Sequence, residues 1–155
     1  MTAREDIRAR IETAKATRAC GPCSLCCKLM SVQDLAPEKP AGQWCPHCPT
    51  RSGCGIYEAR PQSCRDFDCL WRLGLGSEEM RPDRSHVVFN MSTDGKRIVA
   101  HVDPNHPKAH EASIVNDVLI EHARRALRNP KIAPPVVVIG NRRIVVAVED
   151  AQARP

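Results

Sequence analysis

The run CGPCSLCC at residues 20–27 places four cysteines in eight positions, and Cys26 and Cys27 are neighbours. All nine cysteines of the chain lie between Cys20 and Cys69, at positions 20, 23, 26, 27, 45, 48, 54, 64 and 69. Glycine and proline crowd the same segment, from Gly21 and Pro22 to Gly55 and Pro61. Such a stretch has little repeating backbone hydrogen bonding and needs cross-links to hold one shape.

Disulfides, metal and plain burial are the candidate links. Residues 1–19, MTAREDIRARIETAKATRA, contain no apolar run long enough for a signal segment or a membrane span, which predicts a cytoplasmic chain. Thiols there stay reduced, and dense cysteines in that compartment point to metal binding rather than bridges. The odd count leaves one thiol over in any full set of bridges. Unbound thiols in this number would oxidise where exposed. Metal is the expected link.

The spacing supports it. Cys20 with Cys23 and Cys45 with Cys48 have the CxxC separation that brings two sulfurs to one ion, and zinc takes four such ligands tetrahedrally. Adjacent side chains diverge by about 100° on a helix and about 180° on a strand, so Cys26 and Cys27 are expected to serve two centres or a cluster rather than grip one ion. Cys64 and Cys69, on a segment that Pro61 can start as a helix, fall on different faces by the same geometry. Eight thiols divided equally fill two tetrahedral sites. An iron-sulfur cluster is the rival, because Cys20, Cys23 and Cys26 match the first three positions of a ferredoxin-type run. Cys27 and Lys28 depart from the rest of that pattern, so a fourth ligand has to come from farther along the chain.

CGPCSLCC, then Cys45, then CGIYEARPQSCRDFDC together resemble the YkgJ-like cysteine-cluster family, known by its CxxCxxCC motif and described as a zinc- or iron-chelating domain. The stretch with Cys54, Ile56, Tyr57, Glu58, Arg60, Pro61 and Cys64 makes the resemblance specific, and it covers residues 20 to about 72. It implies a ligand set of Cys20, Cys23, Cys26 and Cys27 with Cys45, Cys54, Cys64 and Cys69. Cys48 stands where an apolar residue is expected, and is surplus to that set.

Around this module the patterns are ordinary. Residues 1–19 predict an N-terminal helix, with Thr2 and Glu5 as a capping box and Ile7, Ile11 and Ala14 as a narrow stripe. Residues 73–85 read as a connector. From 86 to 150 the chain predicts ββαββ: a hairpin turning at Asp94-Gly95, a helix opened by Pro107 and running to about Asn129, and a second hairpin at Gly140-Asn141. Ala112, Val115, Val118, Leu119, Ala126 and Leu127 form the helix's apolar face. The fold class is therefore α+β: an irregular Cys-rich metal-binding module plus a four-stranded antiparallel sheet backed by one helix.

Other residues carry weaker signals. His47, between two cysteines, is expected to face solvent because the thiols suffice. His106 and His110 share i, i+4 spacing, but Pro107 interrupts them and no third ligand is near in sequence, so they read as structural. Glu58 and Arg60 read as a charge pair orienting their loop, and Trp44, Tyr57, Phe67 and Trp71 as a shield for the metal. The formal net charge of +5 suggests nucleic acid, yet two four-thiolate zinc sites would bring it to about +1. Arg124, Arg125 and Arg128 then read as a solvated helix face, with Arg142 and Arg143 beyond it. Nothing marks one thiol as a nucleophile beside a base, and no phosphate loop is present. The sequence thus predicts a metal-chelating, non-enzymatic protein with a metal ion as its partner. The alternatives are an iron-sulfur protein in electron transfer or catalysis, or a zinc-stabilised module that binds nucleic acid or protein.

Overall fold

The structure, a computed structural model, describes residues 2–149. Met1 and Asp150, the outer limits of the first and last expected segments, fall outside them. Helix α1 (Ala3–Thr17) begins at the predicted capping box: the Thr2 hydroxyl accepts from the Glu5 N–H, and the Glu5 carboxylate accepts from the Thr2 N–H at 2.6 Å. It buries none of its residues. What ties it down is polar: Lys15 pairs with Asp68 at 3.0 Å, and Arg18, just past its end, donates to the Trp71, Leu75 and Gly76 carbonyls.

Short helices α2 (Cys26–Leu29) and α3 (Gln62–Asp66) punctuate the cysteine segment, and α4 (Pro82–Ser85) leads into the sheet. Strands β1 (Val87–Met91) and β2 (Ile98–Val102) form the first hairpin, where Gly95 supplies the left-handed backbone at φ +68° that the turn demands. Helix α5 (Ser113–Arg128) follows, then β3 (Val136–Ile139) and β4 (Arg142–Val145) around Gly140-Asn141. Arg142 and Arg143 thus belong to a strand. The helix starts at Ser113 rather than Pro107, because residues 103–112 first make a turn and one turn of 3-10 helix at Ala109–Glu111.

The expectation of an antiparallel sheet is overturned at its centre. The strand order is β1-β2-β3-β4, with antiparallel outer pairs, but β2 and β3 run parallel, Val99 opposite Val136 and Val102 opposite Ile139. The reason lies in the connection. Helix α5 returns the chain along the length of the sheet, so β3 starts from the same end as β2.

Side-chain alternation gives the sheet two buried faces. Val87, Phe89, Ala100, Val102, Val137 and Ile139 pack with Val115 and Leu119 of α5, and burying a side chain such as Leu119 contributes about 2 kcal/mol. Leu127, expected in that face, is instead 54% exposed near the helix end. Val88, on the opposite face, packs against Leu25 and Leu29 beside the vicinal cysteines. The Leu70 N–H donates to the Phe89 carbonyl at 2.8 Å on the free edge of β1. The cysteine segment is therefore built onto the sheet.

Candidate metal centre

Local backbone geometry presents the thiols. In each CxxC the fourth residue's N–H returns to the first carbonyl, Cys23 to Cys20 at 2.8 Å and Cys48 to Cys45 at 3.0 Å. The Cys45 N–H donates to the Cys27 carbonyl at 2.9 Å, which stitches the second CxxC to helix α2. Cys54 comes in on a tight approach: the Gly55 N–H reaches the His47 carbonyl at 2.7 Å, and a β-carbon on Gly55 would sit 3.0 Å from that oxygen. Cys64 lies in α3. Cys69 lies beyond its end at Asp66, so these two are separated by a change of element rather than by helical phase alone.

These elements enclose one cavity of about 270 Å³. Cys20, Cys23, Cys26 and Cys69 line it, and so do Cys27, Cys45, Cys54 and Cys64. Cys48 does not; it is buried at 1% exposure and its thiol donates to the Gly53 carbonyl at 3.1 Å. All nine cysteines are free. Tyr57, Phe67 and Trp71 also line the cavity, whereas Trp44 borders a smaller neighbouring hollow with Lys28 and Arg51 over its ring. His47 is half-buried against the cavity, contrary to its expected solvent position, because the Gly55 contact folds its loop inward. Arg60 turns to Tyr57 rather than to Glu58: its guanidinium lies 3.7 Å from the ring centre and its Nε donates to the Tyr57 carbonyl at 2.8 Å.

The electrostatics divide the thiols into two neighbourhoods. Burial pushes Cys23 up to about 12, with Cys69 adding to the shift, and burial with Cys20 likewise raises Cys69. Cys26 stands well above its ordinary value, first through its hydrogen bond with Cys27 and then through burial, with Cys20 and Cys23 nearby. Cys27 moves the other way, to about 6, because Cys26 shares a proton with it, with Cys48, Lys39 and Arg60 also favouring the thiolate. Burial raises Cys64, with Cys27 and Cys45 as its thiol neighbours. One neighbourhood thus gathers Cys20, Cys23, Cys26 and Cys69, and the other forms around Cys27, Cys45 and Cys64, with Cys48 behind Cys27 and Cys54.

The vicinal pair joins the two. Successive side chains diverge on α2, yet Cys26 and Cys27 stay near enough to shift each other's ionisation in opposite directions. Among the described residues no three thiol sulfurs lie within 4.8 Å of one another, so the sulfurs line the space and would have to draw in around an ion. The donor chemistry fits a thiophilic metal: soft sulfurs in a cavity with apolar walls, beside the buried Lys39 ammonium.

Sequence spacing missed one group. His86, Asp103 and His106 have ligand atoms that all lie within 4.8 Å, and the His86 and His106 rings stack at 3.6 Å between centroids. The i, i+4 spacing paired His106 with His110. Its spatial neighbour is His86, brought there by strand register rather than by helix phase.

No helix among the described residues is long and apolar enough to cross a membrane. Compared with known proteins, the chain matches no family model, no curated protein and no solved structure.

Proposed function

We propose that this chain is a metal-chelating protein that holds zinc or iron through Cys20, Cys23, Cys26 and Cys69 in one set and Cys27, Cys45, Cys54 and Cys64 in the other. One observation carries the reading: eight of the nine thiols line a single cavity, and the ninth, Cys48, is buried outside its lining. Those eight are also the residues that the YkgJ-like resemblance implies. Two four-thiolate zinc sites would staple a segment with few regular elements, and structural zinc contributes roughly 10 to 16 kcal/mol to the folding of a small domain. Reduced thiols on this scale belong to the cytoplasm. With all eight cavity thiols assigned to metal, the reading is non-enzymatic.

A polynuclear iron centre is the second reading, favoured by the mutual electrostatic influence of Cys26 and Cys27 at the junction of the two sets. The cavity would supply thiolates to iron, and its aromatic walls would limit water. Elemental analysis with an absorption spectrum, on protein purified without oxygen, separates the two. Zinc with no visible colour supports the first, and iron with brown charge-transfer absorption supports the second. Protein that carries neither metal, and takes up neither when reduced and titrated, sinks both.

A further inference from the structure

We propose that His86, Asp103 and His106 form a second metal site, for a divalent ion of the zinc class, separate from the thiol-lined cavity and independent of what that cavity holds. The sheet builds it. Val87 pairs with Val102 in the last rung of the β1–β2 ladder, so His86 and Asp103 flank that rung, and the Asp103 N–H donates to the His86 carbonyl at 2.9 Å. The chain then turns: the His106 N–H donates to the Asp103 carbonyl at 2.8 Å, and the Asn105 N–H donates to Asp103 Oδ1 at 3.0 Å. That turn lays His106 over His86 with ring planes 7° from parallel.

The φ of +60° at His86 is the left-handed cap that ends α4 and places the ring beside β1. One further observation supports a site over incidental packing. Asp103 is buried, with Oδ1 fixed by Lys28 Nζ at 2.5 Å and by Asn105, while Oδ2 faces His106 Nδ1 at 3.6 Å. A carboxylate held by its outer neighbours and presenting its other oxygen is how ligating carboxylates are oriented. Lys28 offsets the carboxylate's charge. The site therefore disfavours calcium and magnesium, which need several oxygen ligands, and suits an ion that prefers imidazole. Imidazole lone pairs lie in the ring plane, so the stacked rings must tilt to aim at one ion. Three protein ligands leave a fourth position open to water, the arrangement of zinc sites that react or exchange rather than merely staple.

The test is a zinc titration of the whole ¹⁵N-labelled chain, following the histidine ring nitrogens by NMR. The expected result is that His86 and His106 shift together and saturate with one ion beyond those the thiols take up, while His101, His110 and His122 stay unmoved. His106→Gln, at an exposed ring, should abolish the His86 shift and lower the zinc bound by one ion per chain. Cobalt uptake read by sulfur-to-metal charge transfer reports the thiols separately, and it should be the same in His106→Gln. No saturable shift at the two rings up to about 1 mM free zinc overturns the site. So does an unchanged His86 shift in His106→Gln, or a shift at one ring without the other.

Discussion

Lys28 Nζ donates to Asp103 Oδ1 at 2.5 Å, with both side chains about nine-tenths buried, and this pair joins the helix bearing Cys26 and Cys27 to the end of β2. A buried ion pair adds little net stability, because desolvation offsets its attraction, but removing one partner strands a charge and costs about 3–5 kcal/mol. Lys28→Met should therefore lower unfolding stability by about 3 kcal/mol, and Asp103→Asn added to it should recover part of that loss. Urea denaturation of the four proteins measures the cycle. Additive costs would mean that the two side chains do not act as a pair.

Cys45 and Cys48 share a CxxC turn and differ in where their sulfurs go. Cys45 lines the cavity, whereas Cys48 is buried with its thiol on the Gly53 carbonyl. Cys45→Ala should lose metal, and Cys48→Ala should keep full metal content at a cost of about 1 kcal/mol for the lost hydrogen bond and packing. Metal analysis of the two variants checks it. Equal loss from both would mean that the ligand set includes the ninth thiol.

Lys39 is a buried ammonium with no carboxylate. Its Nζ donates to the Lys28 carbonyl at 3.1 Å and to the Met30 carbonyl, and its backbone is fixed by the reciprocal bridge to Val32. Such a charge is tolerated only beside a compensating one, and the nearest groups that could supply it are the Cys27 and Cys45 sulfurs once a metal has deprotonated them. Lys39→Met should weaken metal retention by about tenfold, the lower end of what groups that support metal ligands contribute. Competition against a chelator gives the number. Retention equal to the wild type would show that Lys39 serves the loop and not the metal.

Local chemistry explains what the sequence made legible. The Thr2–Glu5 capping box and the turns at Asp94-Gly95 and Gly140-Asn141 each lie within a few residues, and each appears where it was read. The sheet's centre was not legible. Val136–Ile139 has the same all-apolar pattern whether its neighbour runs parallel or antiparallel, and only the path of α5 decides. The spacing of the cysteines indicated metal chemistry, but the closeness of Cys26 to Cys27 depends on how α2 seats against Val88. His86 and His106 are brought together by the Val87–Val102 register, and no local motif encodes that.

His122 makes the fold acid-sensitive away from any candidate ligand. His122 sits on α5 beside the buried Ala123, and its Nε2 is buried with no hydrogen-bond partner. Burial, and then the nearby Arg125, hold its pKa below the usual 6.5. The folded chain therefore keeps this ring neutral where the unfolded chain protonates it. As pH falls through about 6.5 the unfolded state binds the extra proton, so stability is complete above that value and declines below it. His122→Leu removes both the unpartnered nitrogen and the titration. It should add about 1 kcal/mol at about pH 8, from the relieved polar atom, and a larger margin at about pH 5.5. His101, held at about 4 by burial and Arg143, titrates in both proteins, so the difference between them isolates His122. Thermal unfolding at the two pH values is the measurement. A margin that stays constant between them would show that the His122 ring is not kept neutral by the fold.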